Sequence, residues 1–297
     1  MLDYRIKTFL ELAQIKNYTE TAKKLHTTQP NITQHIQYLE KEYNTKLFIY
    51  KNKTLYLTPE GEIFYKYAIT LYNSSKRLEE SLQTQSKTII FGTTKTIGQY
   101  TFNSILSGFI KDHPDLTCTM YVDNTENLIA KLETGDLDFI ILEGHFDKSK
   151  YAYRHFKKDD FVAISSFENP INSKDLMLND LLDQTLILRE KGSGTRNIFE
   201  LILHEQNLSI SSFKKVHEVA SMEVIKKLVH DNLGISFLYH ESIKNNKNLN
   251  ILNIQDFKIE RDFNFVYLKG ALFEDTYHEY FDYFIEKEQQ SNVKKDQ

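Results

Sequence analysis

The 297-residue sequence predicts an α/β chain in which a short helical module precedes a larger domain of alternating strands and helices. Three observations support this prediction. Residues 19–40 carry two short helical patterns separated by a sharp turn, and residues 46–57 form two apolar runs around a basic tip. From residue 88 onward, apolar strand patterns alternate with amphipathic helical patterns.

Residues 19–40 predict a helix-turn-helix, which an amphipathic helix over residues 2–14 would complete as a three-helix core. Ala22 and Leu25 form the apolar face of the first helix of the motif. Thr28 is placed to cap the second helix, because Pro30 suits a first helical turn. The apolar residues of the second helix recur at i, i+4 and i+7 and so lie on one stripe: Ile32, Ile36 and Leu39.

The opposite face of this second helix carries the side chains that we expect to contact bases in a major groove. These candidate base contacts are Gln29, Pro30, Asn31, Thr33, Gln34 and Gln37. Thr28 is a candidate contact to the DNA backbone. The pattern alone leaves an ordinary helical hairpin with a solvated polar face as an open alternative.

The two apolar runs within residues 46–57 flank Lys51, Asn52 and Lys53 and predict a β-hairpin with a basic tip. Beside a recognition helix such a hairpin is a wing, whose lysines would contact phosphates or a minor groove. A solvated turn remains the alternative for either lysine.

Thr58, Pro59 and Glu60 provide a cap, a helix-compatible proline and an acid in the first turn, so a long helix should begin there. Its apolar residues recur at near-heptad spacing to about residue 86: Phe64, Tyr67, Leu71, Leu78 and Leu82. We expect this seam to pack against the same helix of a second subunit, giving a dimer with two recognition helices.

Together these residues resemble the N-terminal domain of the LysR-type transcriptional regulators. The matching residues are Ala22, Leu25, His26, Gln29, Pro30, Ile32, Ile36, Leu39, Glu40, Leu47, Phe48, Leu57, Thr58, Pro59, Glu60 and Gly61. The resemblance implies promoter DNA as partner, self-association as a homodimer or homotetramer, and RNA polymerase as a further candidate partner. It also implies that the chain is not an enzyme.

The sequence departs from the family pattern in ways that lower the charge of the DNA-binding surface. Thr28 and Thr33 stand where serine is usual, Asn44 stands near a usual glycine, and Tyr50 replaces the usual arginine after Leu-Phe. Gln34, His35 and Gln37 make the recognition helix less basic than is typical. We therefore expect binding that depends on hydrogen bonds more than on charge, with a shallow salt dependence.

The remainder of the chain predicts a largely parallel sheet. The predicted strands are residues 88–92, 116–122, 137–142, 161–165, 185–189, a strand near Val216, 235–239 and 263–268. Two α/β lobes joined by two crossovers resemble a type 2 periplasmic-binding-protein fold, which is the effector domain of the LysR family.

These patterns divide the chain into three predicted parts. The expected boundaries are a winged helix-turn-helix at 1–58, a linker and dimerisation helix at 59–87, and an effector-binding domain at 88–297. Within that domain we expect lobe 1 at 88–160 and 265–290, and lobe 2 at 161–264.

Hydroxyl-rich loops follow several predicted strands, where an open α/β sheet places its ligand. Glycines there let backbone N–H groups face an anion, and hydroxyls with an arginine would complete an oxyanion cage. The candidate effector-binding residues are Thr94, Thr96, Thr125, Arg189, Ser193, Gly194, Thr195, Arg196 and Ser221. Simple helix capping is the alternative for each single Thr or Ser.

The segment 188–196, LREKGSGTR, also resembles a loop in LysR regulators of sulfur assimilation and carbon fixation. The effectors of those regulators are small oxyanions or phosphorylated and carboxylated metabolites. The resemblance therefore implies an anionic effector such as sulfite or sulfate, or a phosphorylated or carboxylate metabolite, without choosing among them.

The composition is that of an ordinary soluble protein, and we expect a cytoplasmic chain without membrane contact, because the N-terminus lacks the pattern of a secretory signal. Residues 1–88 hold 13 Lys and Arg against 9 Asp and Glu, although the whole chain has a net charge of −4. The single Cys118 lies in an alternating strand pattern, so a buried structural thiol is expected and redox sensing is the alternative.

We expect no catalytic residues, metal ligands or cofactor, because the histidines are scattered and no cysteine cluster exists. A solute-binding protein would explain residues 88–297 but not the basic N-terminal motif. A two-lobed enzyme of the porphobilinogen-polymerising kind would need catalytic acids and a cofactor-bearing cysteine, for which Cys118 is poorly placed. Both remain alternatives to a regulator.

Overall fold

The computed structural model describes residues 2–83, 87–173, 175–270 and 274–293. Its α-helices are α1 (Tyr4–Ile15), α2 (Tyr18–Lys24), α3 (Gln29–Glu42), α4 (Pro59–Gln83), α5 (Phe102–Asp112), α6 (Thr125–Glu133), α7 (Gly194–Glu205), α8 (Met222–His230) and α9 (Glu274–Val293). Its strands are β1 (Phe48–Lys51), β2 (Thr54–Leu57), β3 (Lys87–Thr94), β4 (Leu116–Asp123), β5 (Phe139–Glu143), β6 (Tyr151–Ser165), β7 (Thr185–Leu188), β8 (Lys215–Glu218), β9 (Ser236–Tyr239), β10 (Asn250–Ile251) and β11 (Ile259–Leu268). Residues 84–86 of the predicted linker helix lie outside the described residues.

The chain forms two compact units, residues 1–88 with 131–137 and residues 89–130 with 138–297. In the first unit, α1 to α3 pack around Phe9, whose ring lies 5.3 Å from that of Phe48 and 4.8 Å from that of Phe64. The predicted stripe of α3 is buried in this core. Helices α1 and α2 start at side-chain caps: Asp3 accepts from Arg5 N, and Asn17 accepts from Thr19 N.

The start of α4 is held by one threonine and one glycine. Thr58 Oγ1 accepts from Gly61 N at 2.9 Å and donates to the carbonyl of Lys46 at 2.5 Å. A Cβ added to Gly61 would lie 2.1 Å from the carbonyl oxygen of Leu47, so only glycine lets the first turn of α4 approach this backbone.

The apolar seam predicted along α4 is mostly exposed. Tyr67, Leu71, Leu78 and Leu82 are between 54% and 79% exposed, and Ile63 joins them at 59%. The seam prediction was wrong for Phe64, which packs against Phe9 and Tyr43 inside the helical core.

The second unit is built on a sheet of order β10-β6-β11-β5-β3-β4, in which β9 also pairs with β6. Strand β3 pairs in parallel with β5, and β7 pairs in parallel with β8 in a separate small sheet. The long strands β6 and β11 pair antiparallel from Ile259 opposite Phe161 to Leu268 opposite Tyr151.

The prediction of a largely parallel sheet was therefore wrong for the strands between the lobes. Strand β11 is antiparallel to both β5 and β6, and β6 is antiparallel to β9. An apolar pattern identifies a strand but not the direction of its partner, so the alternation of strands and helices did not reveal that β11 runs antiparallel to β5 and β6.

We call β3, β4, β5, α5 and α9 the first lobe, and β7, β8, β9, α7 and α8 the second lobe. In the first lobe, Phe109 of α5 packs 4.7 Å from Phe284 of α9. In the second lobe, Phe199 of α7 stacks on Phe237 of β9 at 4.1 Å. Each lobe thus covers its strands with aromatic residues from its own helices.

Two further features bear on function. No helix among the described residues is long and apolar enough to cross a membrane. Cys118 of β4 is half-buried, and burial raises the pKa of its thiol to about 11, which disfavours the reactive thiolate at neutral pH.

Replacing Gly61 with alanine should lower the free energy of unfolding by about 1–3 kcal/mol, because the new methyl group collides with the backbone at Leu47. Urea denaturation followed by circular dichroism measures this loss. Gly108→Ala in α5 is the matched control, since its added Cβ would meet only the end of the Tyr283 side chain, at 3.2 Å. Equal stability of the two variants would contradict the assigned role of Gly61.

Candidate functional site

The polar face predicted on α3 is exposed in the structure. Thr28, Gln29, Pro30, Asn31, Gln34 and Gln37 are exposed and Thr33 is half-buried, whereas Ile32, Ile36 and Leu39 point into the core. The residues proposed to contact bases therefore share one accessible surface, as a helix lying in a major groove requires.

Two hydrogen bonds order the first turns of this face. Gln29 Nε2 donates to Thr33 Oγ1 at 3.2 Å, and Asn31 Nδ2 donates to Thr27 Oγ1 at 3.0 Å. These contacts limit the rotamers of Gln29 and Asn31 without burying their remaining amide groups, which stay available to base edges.

Thr28 occupies the N-cap position of α3, but its hydroxyl makes no capping hydrogen bond, so the predicted side-chain cap was wrong. Only its backbone carbonyl takes part, accepting from Ile32 N at 3.2 Å. An exposed hydroxyl beside the unpaired N–H groups of a helix N-terminus is well placed for a phosphate oxygen.

His35 does not lie on the polar face, contrary to the sequence prediction. Its Nδ1 lies 2.9 Å from Thr8 Oγ1, and its ring packs edge-on against Tyr4 with centroids 5.0 Å apart. Burial, and then the charge of Arg5, lowers the pKa of His35, so the imidazole is neutral at pH 7 and adds no positive charge to α3.

The hairpin β1–β2 presents Lys51 and Lys53 as exposed side chains at its tip. Asn52 and Lys53 both have positive φ, at 50° and 62°, as a two-residue type I′ turn requires. Asparagine tolerates this conformation, whereas lysine adopts it at a cost. Lys53 is thus held in a strained backbone conformation at the tip of the hairpin.

In the second unit, Glu143 lies where several predicted effector-binding residues meet. This carboxyl ends the fully buried strand β5 and is 2% exposed. Thr94 Oγ1 donates to Glu143 Oε2, and the hydroxyl of Thr96 also bonds to the carboxyl. The structure thus brings Thr94 and Thr96 together, but around a buried acid that the sequence prediction omitted.

The N-terminus of α7 reaches the same point from the second lobe. A Cβ added to Gly194 would lie 2.7 Å from the carbonyl oxygen of Glu143 and 2.8 Å from Thr125 Oγ1. Gly194 therefore permits close contact between the lobes and joins Thr125 to the cluster. Ser193 is the N-cap of α7, 2% exposed, and its side chain makes no cap bond.

Several hydroxyls around this junction are buried without a hydrogen-bond partner among the described residues. They include Oγ1 of Thr125, which is 5% exposed, and Oγ1 of Thr195, which is 2% exposed. Thr93 and Thr101 share this property, although neither was a candidate effector-binding residue from the sequence. A buried unpaired hydroxyl costs about 1–3 kcal/mol, which a bound ligand would recover.

The arginines do not form the predicted oxyanion cage. Arg189 donates from Nε and Nη2 to Glu190, which also binds Lys95 Nζ at 2.9 Å. Arg196 donates to Glu200 at 2.8 Å and to Glu218 at 2.6 Å. Acidic side chains therefore occupy both guanidinium groups: Glu190 is the next residue of the loop, whereas Glu218 comes from a distant strand.

Ser221 makes a capping contact, and the carbonyl of the preceding Ala220 accepts from Lys95 Nζ at 3.3 Å. Ser221 is the exposed N-cap of α8, and its Oγ accepts from Val224 N at 3.4 Å. For this residue the structure favours the capping alternative.

The sequence did contain a signal for Glu143: an acid at the carboxyl end of the apolar run FIILE. Burial raises the pKa of this carboxyl, and the hydrogen bonds from Thr94 and Thr96 together with the charge of Arg189 oppose the rise. No group of three or more potential metal ligands occurs in the described part of the chain.

A separate cavity of about 570 Å³ lies between Gln99, Tyr100 and Asn103 of the first lobe and residues 241–248 of the second. Lys226 lines it with its Nζ 3.0 Å from Tyr100 Oη and 2.6 Å from Glu223 Oε1. Sequence analysis did not identify this contact between the lobes, because it joins residues more than a hundred positions apart.

Two protein-family models match this chain. Residues 4–62 match the family model "Bacterial regulatory helix-turn-helix protein, lysR family", and residues 82–287 match "LysR substrate binding domain". The HTH-type transcriptional regulator CysL of Bacillus subtilis is 28% identical over 279 residues, which cover 91% of this chain and 92% of that protein.

Two further similarities extend this result. The RuBisCO operon transcriptional regulator of Acidithiobacillus ferrooxidans is 27% identical over 277 residues, covering 90% of this chain and 88% of that protein. The regulatory domain of CcmR from Synechocystis PCC6803, solved in complex with 2-PG, superposes with a TM-score of 0.59 at 24% identity, covering 66% of this chain and 96% of that one.

Replacing Lys53 with glycine should raise the stability of the first unit by on the order of 1 kcal/mol, because glycine adopts positive φ freely. The same change should weaken DNA binding, since a phosphate contact is lost. Lys53→Arg is the control that keeps charge and strain. Unchanged DNA affinity in the glycine variant would show that the wing lysine is only solvated.

Proposed function

The chain belongs to the LysR family of DNA-binding transcriptional regulators with an effector-binding domain, and we propose that a small anion bound between its two lobes modulates promoter binding. The predicted family and fold class are confirmed by the two family matches. Because this family comprises transcriptional regulators, the solute-binding protein and the two-lobed enzyme are set aside.

One observation carries the proposed effector site. The hydroxyls of Thr125 and Thr195, beside the N-terminus of the 12-residue helix α7, are buried and have no hydrogen-bond partner within the described ranges. The first N–H groups of a helix lack intrahelical partners and favour negative charge. Unpaired donors from side chains and backbone that face one point support an oxyanion ligand.

The comparisons agree with a small ligand but do not identify it. CcmR has been solved with 2-PG, and that regulatory domain shares the fold of residues in the second unit. The proposed class is an oxyanion such as sulfite or sulfate, or a phosphorylated or carboxylate metabolite. Within the site we propose Thr94, Thr96, Thr125, Ser193, Gly194 and Thr195 as the participating residues, with Arg189 nearby as a paired cation.

The proposed DNA contacts follow from the exposed surface of the first unit. Gln29, Asn31, Gln34 and Gln37 provide amides that pair with base edges, and Thr33 and Pro30 complete the face. Thr28, Lys51 and Lys53 would contact the DNA backbone. A pseudo-palindromic site fits two such units related by two-fold symmetry.

The exposed stripe on α4 supports self-association. Ile63, Tyr67, Leu71, Leu78 and Leu82 repeat at near-heptad spacing and leave large apolar side chains in solvent. We propose that a second α4 covers them, giving a dimer or a dimer of dimers. Anion binding would then change lobe closure and, through α4, the spacing of the DNA-binding units. Cytoplasmic location and contact with RNA polymerase are part of the same proposal.

Gln29→Ala should reduce discrimination between the operator and unrelated DNA, because an amide that can pair with an adenine edge is removed. The expected loss is about 1–3 kcal/mol of specificity. Fluorescence anisotropy with both DNAs at one fixed salt concentration measures it. Lys23→Ala, on the exposed surface of α2, is the control and should weaken both DNAs alike. Unchanged discrimination in Gln29→Ala would refute this contact.

The logarithm of DNA affinity should depend weakly on the logarithm of salt concentration, because few phosphate contacts come from cations on this surface. His35 is neutral and internal, and Tyr50 stands beside the wing without positive charge. Titrations at several salt concentrations give the slope. The variant Tyr50→Arg adds one phosphate contact and should make the slope of log affinity against log salt more negative by about one. A steep slope in the unmodified protein would contradict the expectation.

Thr195→Ala and Ser193→Ala should each weaken binding of the anionic effector, because each removes a buried hydroxyl at the N-terminus of α7. Calorimetry with sulfite, sulfate, phosphate and simple carboxylates measures the loss, expected at about tenfold for each hydroxyl. Ser209→Ala is the control and should bind normally, since the exposed hydroxyl of Ser209 bonds to Ser211 Oγ and to no residue of the cluster. Undiminished binding in both α7 variants would show that the effector does not bind at the N-terminus of α7.

A further inference from the structure

We propose that Glu143 is the specificity-determining residue of the effector cleft and that an oxyanion binds there together with one proton, which Glu143 takes up from solvent. This inference rests on the proposed function, because it assigns a role within the proposed effector site. It adds an acidic residue to a site that otherwise consists of donors.

The contacts of Glu143 place it under the proposed ligand. Its side chain bonds to the hydroxyls of Thr94 and Thr96 at the end of β3, and its backbone carbonyl abuts Gly194 at the start of α7. Thr125, whose hydroxyl has no partner among the described residues, meets Gly194 at the same point. Glu143 is thus the acid shared by the two lobes at this junction.

A threonine hydroxyl has one proton and two lone pairs, so its neighbour sets the direction of its hydrogen bond. Beside an ionised Glu143, Thr94 and Thr96 give their protons to the carboxylate and turn only lone pairs toward the cleft. When Glu143 is neutral, its O–H can donate to one of these hydroxyls. The proton of that threonine is then free to donate to an anion.

The charges around Glu143 decide whether a ligand binds better to its neutral or to its ionised form. Arg189 is the nearby cation, and its guanidinium is already bound by Glu190. The buried Tyr239 of β9, whose hydroxyl has no partner among the described residues, has its pKa raised by burial and then by the charge of Glu143, so it is an uncharged neighbour. An oxyanion placed beside an ionised Glu143 would be repelled at short range in a buried site, so it binds to the neutral form.

This coupling has a definite sign. Burial raises the pKa of Glu143 in the empty cleft, and a bound anion raises it further. Anion affinity is therefore greatest below the pKa of Glu143 in the empty protein and falls as pH rises above it, by about tenfold per pH unit for one coupled proton. The favoured ligand is an ionised oxyanion, and the proton resides on a Glu143 carboxyl oxygen.

The test compares the full-length protein with Glu143→Gln, a neutral side chain of the same shape. Thermal unfolding is followed with inorganic sulfate, against chloride at equal ionic strength, from about pH 5 to about pH 9. Sulfate keeps its charge over this range, whereas inorganic phosphate titrates near neutrality and is therefore compared at one fixed pH. Sulfate should raise the melting temperature of the unmodified protein more at the acidic end. Glu143→Gln should show a rise that does not vary with pH.

Glu260→Gln is the control, because Glu260 is an exposed acid paired with Lys158 far from the cluster in sequence, and it should behave like the unmodified protein. A second measurement needs no variant. Calorimetric titration of the unmodified protein with sulfate, in buffers of different ionisation enthalpy, should reveal uptake of about one proton per anion at the alkaline end.

Anion stabilisation that is independent of pH, or equal pH dependence in the unmodified protein and Glu143→Gln, would overturn the role of Glu143 and leave the effector site standing. If neither sulfate nor phosphate stabilises either protein at any pH, the cleft is not an oxyanion site, and the proposed effector class fails with this inference.

Discussion

The antiparallel pairing of β6 with β11 is the constraint on which the second unit depends. Ten residues of β11 face β6, while β11 also pairs with β5 and β6 with β9, so the strands of each lobe are anchored to one continuous ladder. Lys157 of β6 adds a buried ion pair to Glu241 and another to Glu288. Because backbone hydrogen bonds fix this register, the loops at the strand ends meet at a defined junction.

That junction explains why the candidate site contains an acid. Strand β5 ends at Glu143 where α7 begins at Gly194, and the absence of a side chain at Gly194 permits the approach. The hydroxyls of Thr94 and Thr96 then satisfy Glu143, while Thr125 and Thr195 are left without partners in the described chain. A site with both kinds of group can respond to the charge and the protonation of its ligand.

Local patterns predicted most elements, since apolar spacing reports which face of a helix or strand is buried. The stripe of α3, the wing and the start of α4 all follow from it. Residues 151–160 of β6 were missed because exposed polar residues such as His155, Lys158 and Asp160 interrupt the apolar pattern. The contact of Arg196 with Glu218, the contact of His35 with Thr8 and the burial of Glu143 depend on distant residues, which no local pattern encodes.

The central claim is that an anion binds at the junction of β3, β5 and α7 in a DNA-binding regulator. Amide hydrogen exchange of the full chain, with and without sulfate or phosphate, tests it most directly. The claim predicts slower exchange for residues 93–96 and 193–196, which lie at this junction. Protection confined to residues 245–248, which line the cavity near Tyr100, or no protection with either anion, would contradict it.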